Sequence, residues 1–251
     1  FKKLFNDGCF PDSWTKAIII PLHKKGNIQN PDNYRGISLL SILSKIYTSI
    51  LNERLTQWAN LMNKIAENQA GFRKGYSTID HIFTLYALIE KCFAKRKRKL
   101  YVAFIDFKKA FDTVDRSKLW NVLLRCGLGG KMLKALQGIY TSVKSCVRYN
   151  SKLTEYFDCP SGLRQGCMLS PMLFSFFINE LTMEISKSGK HGIQMFPDVL
   201  QIFMLLFADD VILLSDTQCG LQNQLDILYS YTAKWGLSVN MEKSNRSEER
   251  R

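Results

Sequence analysis

LLFADDVILLS, residues 205–215, sets two adjacent aspartates, Asp209 and Asp210, between apolar runs on either side. Two like charges side by side in a buried-looking strand repel one another and lose solvation. The break at Ala-Asp-Asp inside 203–215 reads as a tight β-hairpin. Its tip is either a plain solvated turn or a place where a cation of charge two or more offsets the repulsion. The surrounding chain has to choose between them.

Working outward, YVAFID (101–106) is apolar throughout rather than alternating, as a buried strand is. AIIIPL (17–22) reads as a short β-branched strand ended by its proline, and 23–36 as a basic, turn-rich connection. Apolar residues recurring at three and four predict helices over 38–58, through Leu40, Leu43, Ile46, Tyr47, Ile50, Leu51 and Leu55, and over 79–93. The second of these runs into KRKRK (95–99). Further helices are expected over 118–124, 171–185 and 221–235. GLSVNMEK (236–243) reads as a turn and short strand, and RSEERR (246–251) as a charged tail without structure. Strands and helices mixed in this order predict an α+β sheet with helices on one face.

With 251 residues, 46% of them hydrophobic, the chain can bury one large core or two intimately packed ones. A net charge of +13 and a pI near 9.4 favour a polyanionic partner such as nucleic acid, or an anionic membrane surface. No membrane span is expected, because VLQIFMLLFA (199–208) falls short of the roughly 20 residues required. No signal peptide is visible, and a chain that does not start with Met is read as a fragment. The seven cysteines are scattered without a CxxC spacing, which suggests reduced thiols and an intracellular setting. His23, His81 and His191 form no metal-ligand pair and are expected in ordinary surface or packing roles.

A third acid, Asp106, stands at the carboxyl end of the YVAFID strand, where a buried strand emerges into a loop. Together Asp106, Asp209 and Asp210 would supply carboxylate oxygens suited to magnesium, and two such ions can clamp both oxygens of a phosphoryl transfer. Spacing alone does not bring Asp106 to the pair.

Six segments occur in order: PLHKKG…NYRGISLL (21–40), NQAGFRKGYST (68–78), YVAFIDFKKAFDTVD (101–115), PSGLRQGCMLSP (160–171), LLFADDVILLS (205–215) and GLSVNMEKS (236–244). This set resembles the reverse transcriptase domain of LINE-type, non-LTR retrotransposons, over nearly the whole chain. The resemblance implies a right-hand polymerase fold: mainly fingers over about 1–100, mainly palm (an antiparallel sheet backed by helices) over about 101–245, and no thumb. It implies an RNA-directed DNA polymerase that joins a primer 3′-hydroxyl to the α-phosphate of a dNTP. Its partners would be an RNA template, a DNA primer and dNTPs, with two Mg2+ ions as cofactors and Mn2+ as a substitute. A nuclear or cytoplasmic location follows; oligomeric state is left open.

Residue by residue, Asp106, Asp209 and Asp210 are similar to the family's metal ligands, and the Phe107 backbone to the carbonyl lent to one ion. Phe111 matches the aromatic that excludes a ribose 2′-hydroxyl. Arg35 resembles the arginine that grips the triphosphate, with Lys24 or Lys25 beside it, although Gly36 replaces a common proline. Gln165 and Gly166 match the nucleotide and template loop, and Lys243 a late lysine that protonates the leaving pyrophosphate. Phe72, Arg73, Lys74 and Tyr76 mix aromatic and basic residues as a nucleic-acid groove does. The KRKRK run is open to template contact, nuclear targeting or plain solvation. The competing expectation is a truncated, inactive nucleic-acid-binding remnant of such an element.

Overall fold

The computed structural model describes all residues except 95–98, 190–191, 197–199 and 250–251, so most of the KRKRK run, and His191, lie outside the described residues. The chain divides into two compact units that interleave in sequence: 1–62 with 115–173, and 63–114 with 174–251. In chain order, α1 (Lys2–Asp7), α2 (Asp12–Thr15), β1 (Lys16–His23), β2 (Tyr34–Leu39) and α3 (Ile42–Leu61) belong to the first unit. The chain then enters the second with α4 (Thr78–Ala94), β3 (Leu100–Ile105) and α5 (Ala110–Thr113). It returns to the first with α6 (Arg116–Arg125), α7 (Gly130–Tyr140), β4 (Lys144–Tyr149), β5 (Lys152–Leu153) and β6 (Phe157–Asp158). The division falls within α8 (Ser170–Lys187). The second unit then gains β7 (Ile193–Phe196), β8 (Leu200–Ile202), β9 (Met204–Phe207), β10 (Asp210–Ser215), α9 (Gln218–Trp235) and β11 (Asn245–Glu249).

In the first unit the sheet runs β2-β1-β4-β5, with β6 also on β4. The strand expected to stop at Pro21 continues through it to His23. The parallel ladder to β4 ends at Ile19↔Val147, so Pro21 needs no donor on that side, while on the other it pairs Gly36. Trp14 meets Phe10 at 5.5 Å between ring centroids, and Tyr47 meets Phe1 at 5.5 Å. On α3 the buried stripe is Tyr47, Leu51, Leu55 and Ala59, whereas Leu43, Ile46 and Ile50 point to solvent.

The second unit is built on an antiparallel sheet, β11-β3-β10-β9. Leu88 and Cys92 of α4 pack against Leu100, Val102, Leu205 and Leu214. The opposite parity, Ala103, Ile105, Val211 and Leu213, is buried as well, so helices cover this sheet on two faces rather than the one expected. A strand apolar at every position requires that cover. Two further expectations are corrected. Residues 245–249 of the charged end form β11, because β3 would otherwise leave a row of unpaired backbone groups along its apolar length. GLSVNMEK contributes only an isolated pairing, Val239 with Phe107, before a turn.

Candidate active site

The hairpin over 203–215 is present, with β9 and β10 in register from Asp210↔Phe207 to Leu213↔Met204. Its turn holds Ala208 at φ 60° and Asp209. A residue with a Cβ enters this left-handed region at a cost of about 1 kcal/mol, so the turn needs outside support. That support comes from the buried Gln69. Its Oε1 accepts from the Ala208 N–H at 3.1 Å and the Gly71 N–H at 2.8 Å. Its Nε2 donates to the Ala208 carbonyl at 3.4 Å.

Register also settles the question that spacing left open. β3 and β10 pair with Val211 opposite Ile105, so Asp106, one residue past β3, meets Asp210, the first residue of β10. The three acids share a field: desolvation first, then the charges of Asp209 and Asp106, push the Asp210 carboxyl above its ordinary range, and Lys243 partly opposes them. Asp106 is held by a residue that spacing did not single out. Asn240 donates through Nδ2 to its carboxylate at 2.9 Å and through its backbone N–H to its carbonyl at 2.7 Å. The Ser244 hydroxyl accepts from the Asp106 N–H at 3.1 Å, and Lys243 Nζ stands 3.5 Å from its carboxylate. Asn240 and Ser244 both lie in the GLSVNMEKS segment, which was the available signal.

Phe107 is buried, and its pairing with Val239 is flanked by the bonds Lys108 N–H to Ser238 and Asn240 N–H to Asp106. That is the non-hydrogen-bonded kind of antiparallel pair, in which the Phe107 carbonyl takes no part. Phe111, on α5, stacks on Phe174 at 4.4 Å and meets the edge of Phe72 at 6.1 Å. Arg73 turns inward: it donates to the Ala66 and Gln69 carbonyls, pairs with Glu67 at 3.3 Å and lies over the Tyr76 ring at 4.1 Å. Tyr76 donates to Glu67 at 2.5 Å, and that bond, more than the nearby arginine, holds the Glu67 carboxyl below its usual value. Phe72 and Lys74 are the exposed members of this group together with Tyr76.

Lys24, Lys25, Arg35, Gln165 and Gly166 all belong to the first unit. Arg35 is exposed on β2, opposite Leu22. Gly166 has φ 78°, and a Cβ there would stand 3.0 Å from the Ser38 carbonyl of the same strand. Glycine therefore lets this loop close against β2, three residues from Arg35. The buried Arg164 anchors the loop by donating to the Trp14 carbonyl at 2.7 Å.

An all-oxygen set of carboxylates suits a hard divalent cation, and a dication relieves the repulsion that raises Asp210. Among the described residues, no three His, Cys, Asp or Glu side chains already converge on one point. Lys243 already brings its ammonium to the Asp106 carboxylate.

A family model described as reverse transcriptase (RNA-dependent DNA polymerase) matches residues 22–251. The chain belongs to the reverse transcriptase family. It is 31% identical over 250 residues to a probable RNA-directed DNA polymerase from transposon BS of Drosophila melanogaster, covering 94% of this chain and 26% of that protein. It is 29% identical over 241 residues to a retrovirus-related Pol polyprotein from the type-1 retrotransposable element R2 of Popillia japonica, covering 94% of this chain and 32% of that one. The chain thus spans about a quarter to a third of these curated relatives. Among solved structures it is similar to apo telomerase from Candida tropicalis truncated from its C-terminal domain, with a TM-score of 0.71 at 14% identity, over 96% of this chain and 51% of that one. At that identity the likeness speaks for the fold alone, and it bears out the right-hand polymerase architecture expected from the motifs. The resemblance to retrotransposon reverse transcriptases is borne out as well. Reverse transcriptases use divalent metal ions. No helix among the described residues is long and apolar enough to cross a membrane.

Proposed function

We propose that this chain is the polymerase portion of a non-LTR retrotransposon protein, which copies an RNA template into DNA from a primer 3′-hydroxyl. The observation that carries this reading is the register of β3 and β10, which sets Asp106 against the Asp209–Asp210 turn. In this reading residues up to about 100 act mainly as fingers and those over about 101–245 mainly as palm. Asp106, Asp209, Asp210 and the Phe107 carbonyl hold two Mg2+ ions, or Mn2+ in their place. When bound, these ions lower the pKa of the primer hydroxyl and neutralise charge on the leaving pyrophosphate.

The other roles fall to side chains. Asn240 keeps the Asp106 carboxylate turned toward the reacting groups. Arg35, with Lys24 or Lys25 beside it, grips the triphosphate through its planar fork, and the Gln165–Gly166 loop lies against the nucleotide and template. Phe111, braced by Phe174, excludes a ribose 2′-hydroxyl by its bulk. Lys243 Nζ gives a proton to the departing pyrophosphate. Phe72, Lys74 and Tyr76 line the nucleic-acid path, with Arg73 holding their loop in shape. Template copying places the protein inside the cell, in nucleus or cytoplasm.

The test is extension of a DNA primer annealed to RNA by the purified chain with dNTPs and Mg2+. Extension is expected, is lost on chelation, and falls at least about 100-fold in Asp209→Asn. Undiminished extension by that variant overturns the reading. Salt-sensitive binding without any extension by the parent chain leaves the inactive remnant in its place.

A further inference from the structure

The turn that presents Asp209 and Asp210 is closed from 139 positions away. Gln69 is fully buried, and its one carboxamide meets both backbone groups of Ala208, accepting from the N–H and donating to the carbonyl. The same oxygen takes the Gly71 N–H. A Cβ on Gly71 would collide with the Ala208 nitrogen, so the approach depends on glycine there. The backbone follows the side chain. Ala70 donates to the Leu206 carbonyl at 2.9 Å, Leu206 donates to the Asn68 carbonyl at 2.8 Å, and Gln69 pairs in parallel with Leu206. The chain around Gln69 thus lies alongside β9 through a single isolated bridge, next to the clamp on the left-handed Ala208 of the turn.

An amide offers a donor and an acceptor in one fixed plane, which is what both ends of a single peptide residue require. An apolar side chain of the same length would fill the space, but it would strand the buried N–H groups of Ala208 and Gly71. We propose that Gln69 is a positioning residue for the aspartate pair. Its carboxamide locks Ala208 in the left-handed conformation and so fixes the direction in which the two carboxylates leave the hairpin. The proposal rests on the reading of Asp209 and Asp210 as the acidic centre of a polymerase, and it assigns Gln69 no contact with substrate.

The experiment uses the full chain with two variants. Gln69→Met keeps length and shape but removes both polar contacts; Gln69→Glu keeps an acceptor and removes the donor. Amide hydrogen exchange is followed over 204–211 and over β3, alongside steady-state primer extension. Gln69→Met is expected to speed exchange at 206–211 while β3 keeps its protection. Its kcat should fall about 10- to 100-fold, with the KM for dNTP unchanged to within about twofold. Gln69→Glu should lie between Gln69→Met and the parent. Adding Ala208→Gly to Gln69→Met should recover part of kcat, because glycine takes the left-handed conformation without a clamp. Unchanged local exchange, a kcat loss equal to a loss of folded protein throughout the sheet, or no recovery with glycine would each overturn the lock. If the parent chain extends no primer, the polymerase reading fails, and the exchange measurements still decide the clamp.

Discussion

Asp210 concentrates the electrostatic cost of this fold at one side chain. Its raised pKa means that the folded chain holds this proton more tightly than the unfolded chain does. Ionising it therefore takes stability away: the loss sets in as pH rises through the ordinary carboxylate range, is complete above the folded value, and is absent in acid. In the metal-free chain Asp210→Asn should raise the melting temperature at about pH 7 by about 1–3 °C, a small gain because the exposed group is screened. The gain should disappear near about pH 3, while extension is lost at any pH. Thermal melts in chelator at both pH values check this. At this scale the acids were legible, since Asp106 and the Asp209–Asp210 pair sit in motifs of recognisable order. Gln69 and Asn240 were not, because what marks them is a partner 139 or 134 positions away, which no local spacing encodes.

Elements carried their own signals unevenly. The expected helices over 79–93 and 221–235 match α4 and α9 to within a few residues, since each repeats its apolar positions over several turns. Of the strands after α7, β5 and β6 are two residues each, too short to show any period. The last strand was missed for a different reason. NRSEE has no apolar residue, and only the unpaired edge of β3 explains why it adopts a strand. Removing residues 245–251 should therefore expose that edge, lower the melting temperature by about 5–10 °C and promote self-association. Melting curves and light scattering on the truncated chain test this, and an unchanged melt would show that β11 adds nothing to the sheet.

For the molecule as a whole, charge is the most portable property. A net charge of +13 predicts that binding to an RNA–DNA duplex weakens steeply with salt. Between about 50 and 200 mM monovalent salt the affinity should drop by about 100-fold or more. A flat salt profile in a filter-binding titration would rule out phosphate contacts as the main source of affinity.

The interleaving of the two units bears on how the acidic centre is made. Its sheet draws on 63–114 and 174–251, and the intervening 115–173 belong to the other unit. On the ribosome β3 emerges with Asp106 at its end about a hundred residues before either strand that will flank it, and Gln69 emerges earlier still. At roughly 5–20 residues per second, an apolar strand with two open edges waits for several seconds. The acidic centre thus cannot close until those later strands have emerged, and β3 stays open to unwanted strand pairing during that delay.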